Sequence, residues 1–237
     1  IGPVRSARPY LIDIAGEYNA VLLHAGACPD GFAMLQQGGI THLDQIYSDS
    51  YYWRSTEREA PNNLYTGNST IVNYLEEVIG QEYNNRFPFK KLNITGPEEQ
   101  YADIIRIPYW GGTMVSYRYD SNENKYYRYY GFIETPHILA NNKQITASNI
   151  IVQYVKTQQK DNVGRLILDL KNRGRAQIFT GGIVVEGYWE RDSYGVTRYY
   201  NNQGERIGLN PGQTWINLAL DTIDVEYKDT RVVSDIN

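Results

Sequence analysis

The apolar positions fall into two regimes. Up to about residue 90 they mix short continuous runs with helical spacing, and from about Asp103 they recur in strand-like stretches. In the first regime Ala20–Ala25 is a brief apolar run closed by Gly26, which predicts a buried strand. Pro29 opens a helical stretch over Asp30–Gln37, and Gly38 and Gly39 end it. Asn68 or Ser69 caps a second helix over Thr70–Gln81, with Ile71, Tyr74, Leu75 and Val78 along one face. Between the two helices, Ser48–Asn63 is polar, aromatic and charged. A long irregular connection carrying Trp53, Arg54 and Arg58 is the kind of segment that builds a site.

In the second regime Thr113–Asp120 alternates, with Val115, Tyr117 and Tyr119 on one face. A Ser-Asn-Glu-Asn turn then leads into Lys125–Tyr130, so the pair reads as a hairpin. Asn149–Val155, Arg165–Leu170, Ala176–Thr180, Ile183–Trp189 and Thr214–Leu220 read as further strands. Turns are expected at Arg173-Gly174, Gly181-Gly182, Asn201–Gly204 and Asn210–Gly212. Many short strands with Gly and Asn turns predict an antiparallel sandwich or barrel-like sheet. The expected fold class is α+β: a mixed α/β region over 1–97, then an antiparallel β-rich domain over 98–237. The junction is placed in the Asn93–Gln100 loop.

Composition and charge narrow the function. With 237 residues the chain buries one large core or two modest ones, and a net charge of -4 argues against a nucleic-acid binder. No apolar run approaches the roughly 20 residues needed to cross a bilayer. The single Cys28 forms neither an internal disulfide nor a zinc cluster, and its setting reads as a small buried residue. Three scattered histidines make a zinc site unexpected; His42 and His137 read as structural loop residues. Tyrosine, at 22 residues, far outnumbers the five Phe and four Trp, which suits half-buried strand faces.

The densest chemistry is in the first ten residues, where Arg5 and Arg8 flank Ser6 between Pro3 and Pro9. Planar guanidiniums match carboxylate or phosphate oxygens, so the pair suggests an anion clamp. The next basic residues are Arg54, Arg58 and Arg86, and the first lysine is Lys90, a bias towards ordered pairing. The competing reading is that these arginines pair with Asp13, Glu57 or Glu59 and hold loops together. His24, at the end of a buried strand and before two small residues, is either a proton carrier near the arginines or a satisfied core histidine. Ser6 lacks a nucleophile elbow, and no glycine pair matches a phosphate-binding loop.

Ile1–Tyr10 with Asp13, Glu17–Ala20 and His24–Gly26 resemble the YerB-like family of bacterial envelope lipoproteins of unknown function. Tyr119-Asp120, Tyr127–Tyr129, Ala147–Val152, Gly187–Trp189 and Leu209–Trp215 are similar to its C-terminal domain. The resemblance implies an extracytoplasmic protein of Gram-positive bacteria, membrane-anchored in its complete form. Family members carry a signal segment, a lipid-bearing cysteine and a strand-rich stretch ahead of the Arg-Ser-Ala-Arg motif. This chain starts at the motif, which implies a fragment without the anchor. The family also tends towards Pro-His-Asn-Leu-Tyr where this chain has Pro61, Asn62, Asn63, Leu64 and Tyr65, which weakens a catalytic role for that loop.

The expected function is therefore a non-enzymatic binding or scaffold protein of the envelope. Arg5, Ser6, Arg8, His24, Arg54, Arg58, Asn63 and Tyr65 would line a site for an anionic cell-wall component or the carboxylate of an envelope protein. No catalytic residue, cofactor or metal is assigned, and oligomeric state is left open. The alternatives are an enzyme acting on phosphorylated or polymeric envelope substrate, with His24 as base, and a purely structural assembly protein.

Overall fold

Proline at the first turn of a helix has no N–H to lose and a preset φ, and Pro9 uses both to start α1 (Pro9–Glu17). The sequence reading assigns Pro9 a stiffening role and no helix; Ile12 and Ala15, three apart and buried, are the face that was overlooked. The computed structural model describes residues 1–78, 100–109 and 111–230, and the chain separates into two compact units, Ile1–Arg86 and Phe87–Asn237. The junction expected at 97/98 and the end of the helix expected at Gln81 lie outside the described residues.

The N-terminal unit is built on one strand–helix–strand crossover: β1 (Leu22–His24), α2 (Pro29–Gln36) and β2 (His42–Asp44). The two strands are parallel, with Leu22 opposite His42, Leu23 opposite Leu43 and His24 opposite Asp44. The strand expected over Ala20–Ala25 is cut to three residues by its neighbours. Ala20 donates its N–H to Ala15 O (2.8 Å) and closes α1, while Ala25 donates to Arg5 O (3.1 Å). Leu22 and Leu23 point to opposite faces, as the strand period requires. Leu22 packs with Ala7, Ile12 and Leu35, and Leu23 with Val4, Leu43, Tyr52 and Leu64. The segment expected to be irregular carries a small hairpin, β3 (Trp53–Arg54) with β4 (Leu64–Tyr65), and α3 (Asn68–Val78) follows.

The C-terminal unit runs through β5 (Gln100–Tyr101), β6 (Ile104–Tyr109), β7 (Thr113–Asp120), β8 (Lys125–Tyr130), β9 (Thr135–Pro136) and β10 (Thr146–Ala147). It continues with β11 (Asn149–Val155), β12 (Thr157–Gln159), β13 (Leu166–Leu168), β14 (Arg173–Thr180), β15 (Ile183–Arg191), β16 (Thr197–Asn201), β17 (Thr214–Leu220) and β18 (Glu226–Lys228). One sheet has the order β10-β8-β7-β6-β18 with β9 beside β8; the other has β16-β15-β14-β11-β17 with β5 beside β15. Ile105, Ile107, Tyr117 and Tyr126 from the first sheet and Ile150, Val152, Tyr154 and Phe179 from the second form one core, so the sheets are the halves of a sandwich. The α+β class with a β-rich C-terminal region is the fold observed.

Two details differ from the sequence reading. β17 pairs with β11 in parallel along seven residues, Asn149 opposite Thr214 to Val155 opposite Leu220. The expected Arg173-Gly174 turn is strand: Gly174 lies where a Cβ would collide with Trp189 and the Tyr154 carbonyl, so a flat backbone is needed there. The bend falls at Lys171-Asn172, where the Asp169 carboxylate accepts from Lys171 N (3.2 Å) and Asn172 Nδ2 (2.7 Å). Several tyrosines are also deeper than half-buried. Tyr117 and Tyr126 are fully enclosed, their hydroxyls bonded to Asn217 Oδ1 (3.1 Å) and Gly182 N (3.0 Å).

Candidate functional site

The Arg-Ser-Ala-Arg motif is an extended segment laid beside the end of β1. Ala25 N donates to Arg5 O, Ala7 N donates to Gly26 O (2.9 Å), and Val4 N reaches across to Leu64 O (2.8 Å) in β4. Extended backbone sends successive side chains to opposite sides. Val4 and Ala7 are therefore buried in two hydrophobic clusters, and Arg5 is exposed.

Among the described residues, Arg5, Arg8, Arg54 and Arg58 meet no carboxylate. Arg5 Nη1 donates to the Asn62 side-chain carbonyl, and Arg54 Nη1 to that of Asn63 (2.9 Å). Asn63 is itself held by donating Nδ2 to Ser55 O (3.2 Å). Two consecutive asparagines thus fix two guanidiniums to one turn, using neutral amide oxygens that leave the positive charge uncompensated. Arg58 lies exposed in the same 55–63 loop, with Glu57 and Glu59 as its acidic neighbours, and no ion pair joins them among the described residues. The alternative in which Asp13, Glu57 or Glu59 neutralises Arg5 or Arg8 is not what is observed.

Four expected members, Ser6, Arg8, His24 and Tyr65, are placed differently. Arg8 is half-buried and folds back on its own segment, donating to Ser6 Oγ (2.6 Å) and Ala7 O (3.2 Å). Arg5 and Arg8 do not converge on a common partner, and the Ser6 hydroxyl serves Arg8. His24 does not line an open site, since it is 1% exposed with both ring nitrogens engaged. Tyr65 is half-buried with its ring stacked on Trp53 (centroids 6.3 Å, interplanar angle 25°). Cys28 is half-buried at the start of α2 rather than enclosed.

His24 belongs to a second arrangement. Its Nδ1 lies 2.9 Å from Gly26 O, a pure acceptor, so Nδ1 carries the proton. Nε2 lies 2.9 Å from Nδ1 of His42, so a single proton is shared between the two rings. Asp44 lies beyond, its Oδ1 accepting from Gly26 N (2.8 Å) and Ile46 N (3.1 Å). Gly26 sits at φ +66, a conformation that aims its N–H at Asp44 and its carbonyl at both His24 and Ala7; the glycine of the His-Ala-Gly triplet is what permits it. Burial and the adjacent His24 push the His42 pKa below its ordinary value, with Asp44 opposing. His42, expected in a loop as a structural residue, lies instead in β2, because a three-residue strand, polar at both ends, has no pattern of its own. The spacing of an apolar run, a Pro-started helix and a second short run was the available signal.

Comparison with known proteins follows the same division. Residues 1–81 match the N-terminal domain, and 105–216 the C-terminal domain, of the protein family of unknown function DUF3048. The chain belongs to this family. A Bacillus subtilis (strain 168) relative named "Putative lipoprotein YerB" is 27% identical over 229 residues, covering 93% of this chain and 67% of that protein. The crystal structure of the YerB protein from Bacillus subtilis superimposes with a TM-score of 0.80 at 24% identity, over 95% of this chain and 77% of that one. The DUF3048 fold is thereby shared. No helix among the described residues is long and apolar enough to cross a membrane, and no group of three or more His, Cys, Asp or Glu among them is placed to hold a metal ion.

Proposed function

We propose that this DUF3048 protein is a non-enzymatic binding protein of the bacterial envelope, attached to the membrane by lipid in its full-length form. It holds an anionic group, a phosphate or carboxylate of a cell-wall component, on Arg5 and Arg54 with Arg58 beside them. The location rests on the relative's name as a lipoprotein. The ligand class is supported by one observation: two exposed guanidiniums are anchored by the side chains of adjacent asparagines and, among the described residues, are matched by no acid. A guanidinium held in this way keeps free donors for an incoming anion and loses little freedom on binding. His24, with no free ring nitrogen, supports the motif backbone through Gly26 instead of acting as a base.

Isothermal titration with short poly(glycerol phosphate) chains tests this. The double variant Arg5→Ala, Arg54→Ala is expected to bind at least about tenfold more weakly, about 1.4 kcal/mol, with its unfolding temperature unchanged. Glu59→Gln, which removes a nearby negative charge, strengthens binding. Equal affinity of the double variant and the parent protein would sink the reading, and so would loss of fold in the double variant.

A further inference from the structure

The C-terminal unit contains a cavity of about 510 Å³, bounded by Tyr109, Val155, Leu166, Leu168, Leu218 and Leu220. That volume lies within the roughly 300–1,000 Å³ span of small-molecule sites. Its chemistry is one-sided. Among the described lining residues the polar side chains are Tyr109 and Thr157, and both have spent their hydroxyl protons on the protein itself. Tyr109 donates to Asn217 Oδ1 (3.2 Å) and Thr157 to Val155 O (3.2 Å). Burial pushes the Tyr109 pKa up. The described lining residues include no charged side chain, and water against them would find few of the two to four partners it needs.

The roof of the cavity is the β12–β13 hairpin. These two strands pair with each other and with neither sheet of the sandwich. A lone two-stranded hairpin is marginal in water unless one face packs on something apolar. Leu166 and Leu168 face the cavity, while Ile167 between them is 51% exposed. The floor is β17, the edge strand beside β11, whose Leu218 and Leu220 line the same space. Floor and roof are both aliphatic, and the cavity between them leaves apolar surface of the hairpin's inner leucines uncovered.

We propose that this cavity binds the hydrocarbon chain of an amphiphile, with the chain completing the packing of the hairpin's inner leucines. The site is independent of the anion site, whose arginines belong to the other unit. The ligand's polar end stays outside, since no described lining residue offers it a free polar or charged group.

Fluorescence titration with 11-(dansylamino)undecanoic acid is expected to show saturable one-to-one binding in the micromolar range. Leu218→Trp, which fills the space, weakens it by about tenfold or more. Ile167→Ser, on the outer face of the same hairpin, leaves it unchanged. Displacement by lauric acid identifies a free fatty acid as the better ligand. Displacement by lauroyl lysophosphatidylcholine, below its micelle-forming concentration, identifies a lipid's chain. Should the tryptophan variant not fold, methyl NMR of the unsubstituted protein decides: shifts confined to Leu166, Leu168, Leu218 and Leu220 support the site. Absence of saturable binding in folded protein overturns the proposal, as do equal affinity in the folded Leu218→Trp variant, displacement by neither lipid, or methyl shifts spread elsewhere.

Discussion

Arginine is used in opposite ways in the two units. In the C-terminal unit Arg106 and Arg118 both grip Glu134, Arg165 pairs with Asp161 and Arg198 with Asp192. Arg173 lies over Tyr188 (3.6 Å), Arg175 over Tyr154 (3.7 Å) and Arg128 over Trp215 (4.6 Å). In the N-terminal unit Arg5 and Arg54 rest on amide oxygens and Arg8 on its own segment. Most of the C-terminal arginines find a carboxylate or a ring, which compensates charge or desolvation locally, while Arg191 is held by the carbonyls of Gly195 (3.0 Å) and Leu170 (3.4 Å). An arginine held by a neutral oxygen is positioned without being neutralised. That difference is the physical content of the anion-site proposal.

Gly187 in β15 lies so close to the Tyr200 carbonyl that any Cβ would overlap it. Gly187→Ala is expected to cost roughly 3 kcal/mol or more of C-terminal stability, read from denaturant midpoints, because β16 must move away. Asp44→Ala leaves the enclosed Gly26 N–H without its acceptor; about 2 kcal/mol is expected, confined to amide exchange in β1 and the motif. Arg175→Ala removes a stacked cation, at about 0.5–1 kcal/mol, whereas Arg54→Ala should stay within about 0.5 kcal/mol. Equal losses for these two would erase the contrast between the units.

The smallest expected effect is on pH dependence. His42 has a folded pKa below its ordinary value, so the unfolded chain binds protons more readily. Its contribution is intact above about pH 6.5, the unfolded value, and is lost as pH falls through the folded value. The protection of β2 amides, normalised to the intrinsic exchange rate at each pH, should therefore fall on acidification, and His42→Gln should flatten that dependence. In the C-terminal unit His137 has the same sign, from burial and Arg128, so the two histidines need separate variants.

The sandwich was legible in the sequence because alternation in Thr113–Asp120 and short apolar or aromatic runs bounded by Gly and Asn turns mark strands: Thr113–Asp120, Lys125–Tyr130, Asn149–Val155 and Thr214–Leu220 are the observed β7, β8, β11 and β17. β6 was missed because Pro108 and Arg106 interrupt its pattern. In the N-terminal unit, segments of two or three residues take their conformation from tertiary partners, so β2, β3 and β4 had no local signature. Arg5, Arg54 and Asn63 could be picked out because arginine was preferred over lysine and the loop was long. Asn62 could not be: its role is to meet Arg5, 57 positions away, and nothing local announces that contact. His24 stood out for its neighbours, but its partner His42 is reached only through the parallel crossover.

The parallel alliance of β11 with β17 has a temporal consequence. Asn149 is bonded to Thr180 Oγ1 (2.7 Å), Asn210 N (2.9 Å) and Thr214 Oγ1 (3.1 Å), so one side chain fastens strands drawn from distant parts of the chain. During synthesis the middle of the second sheet has a bare flank until residues 214–220 emerge. Closing so wide a loop is slow, and the nascent polypeptide must wait with its most apolar ribbon unshielded.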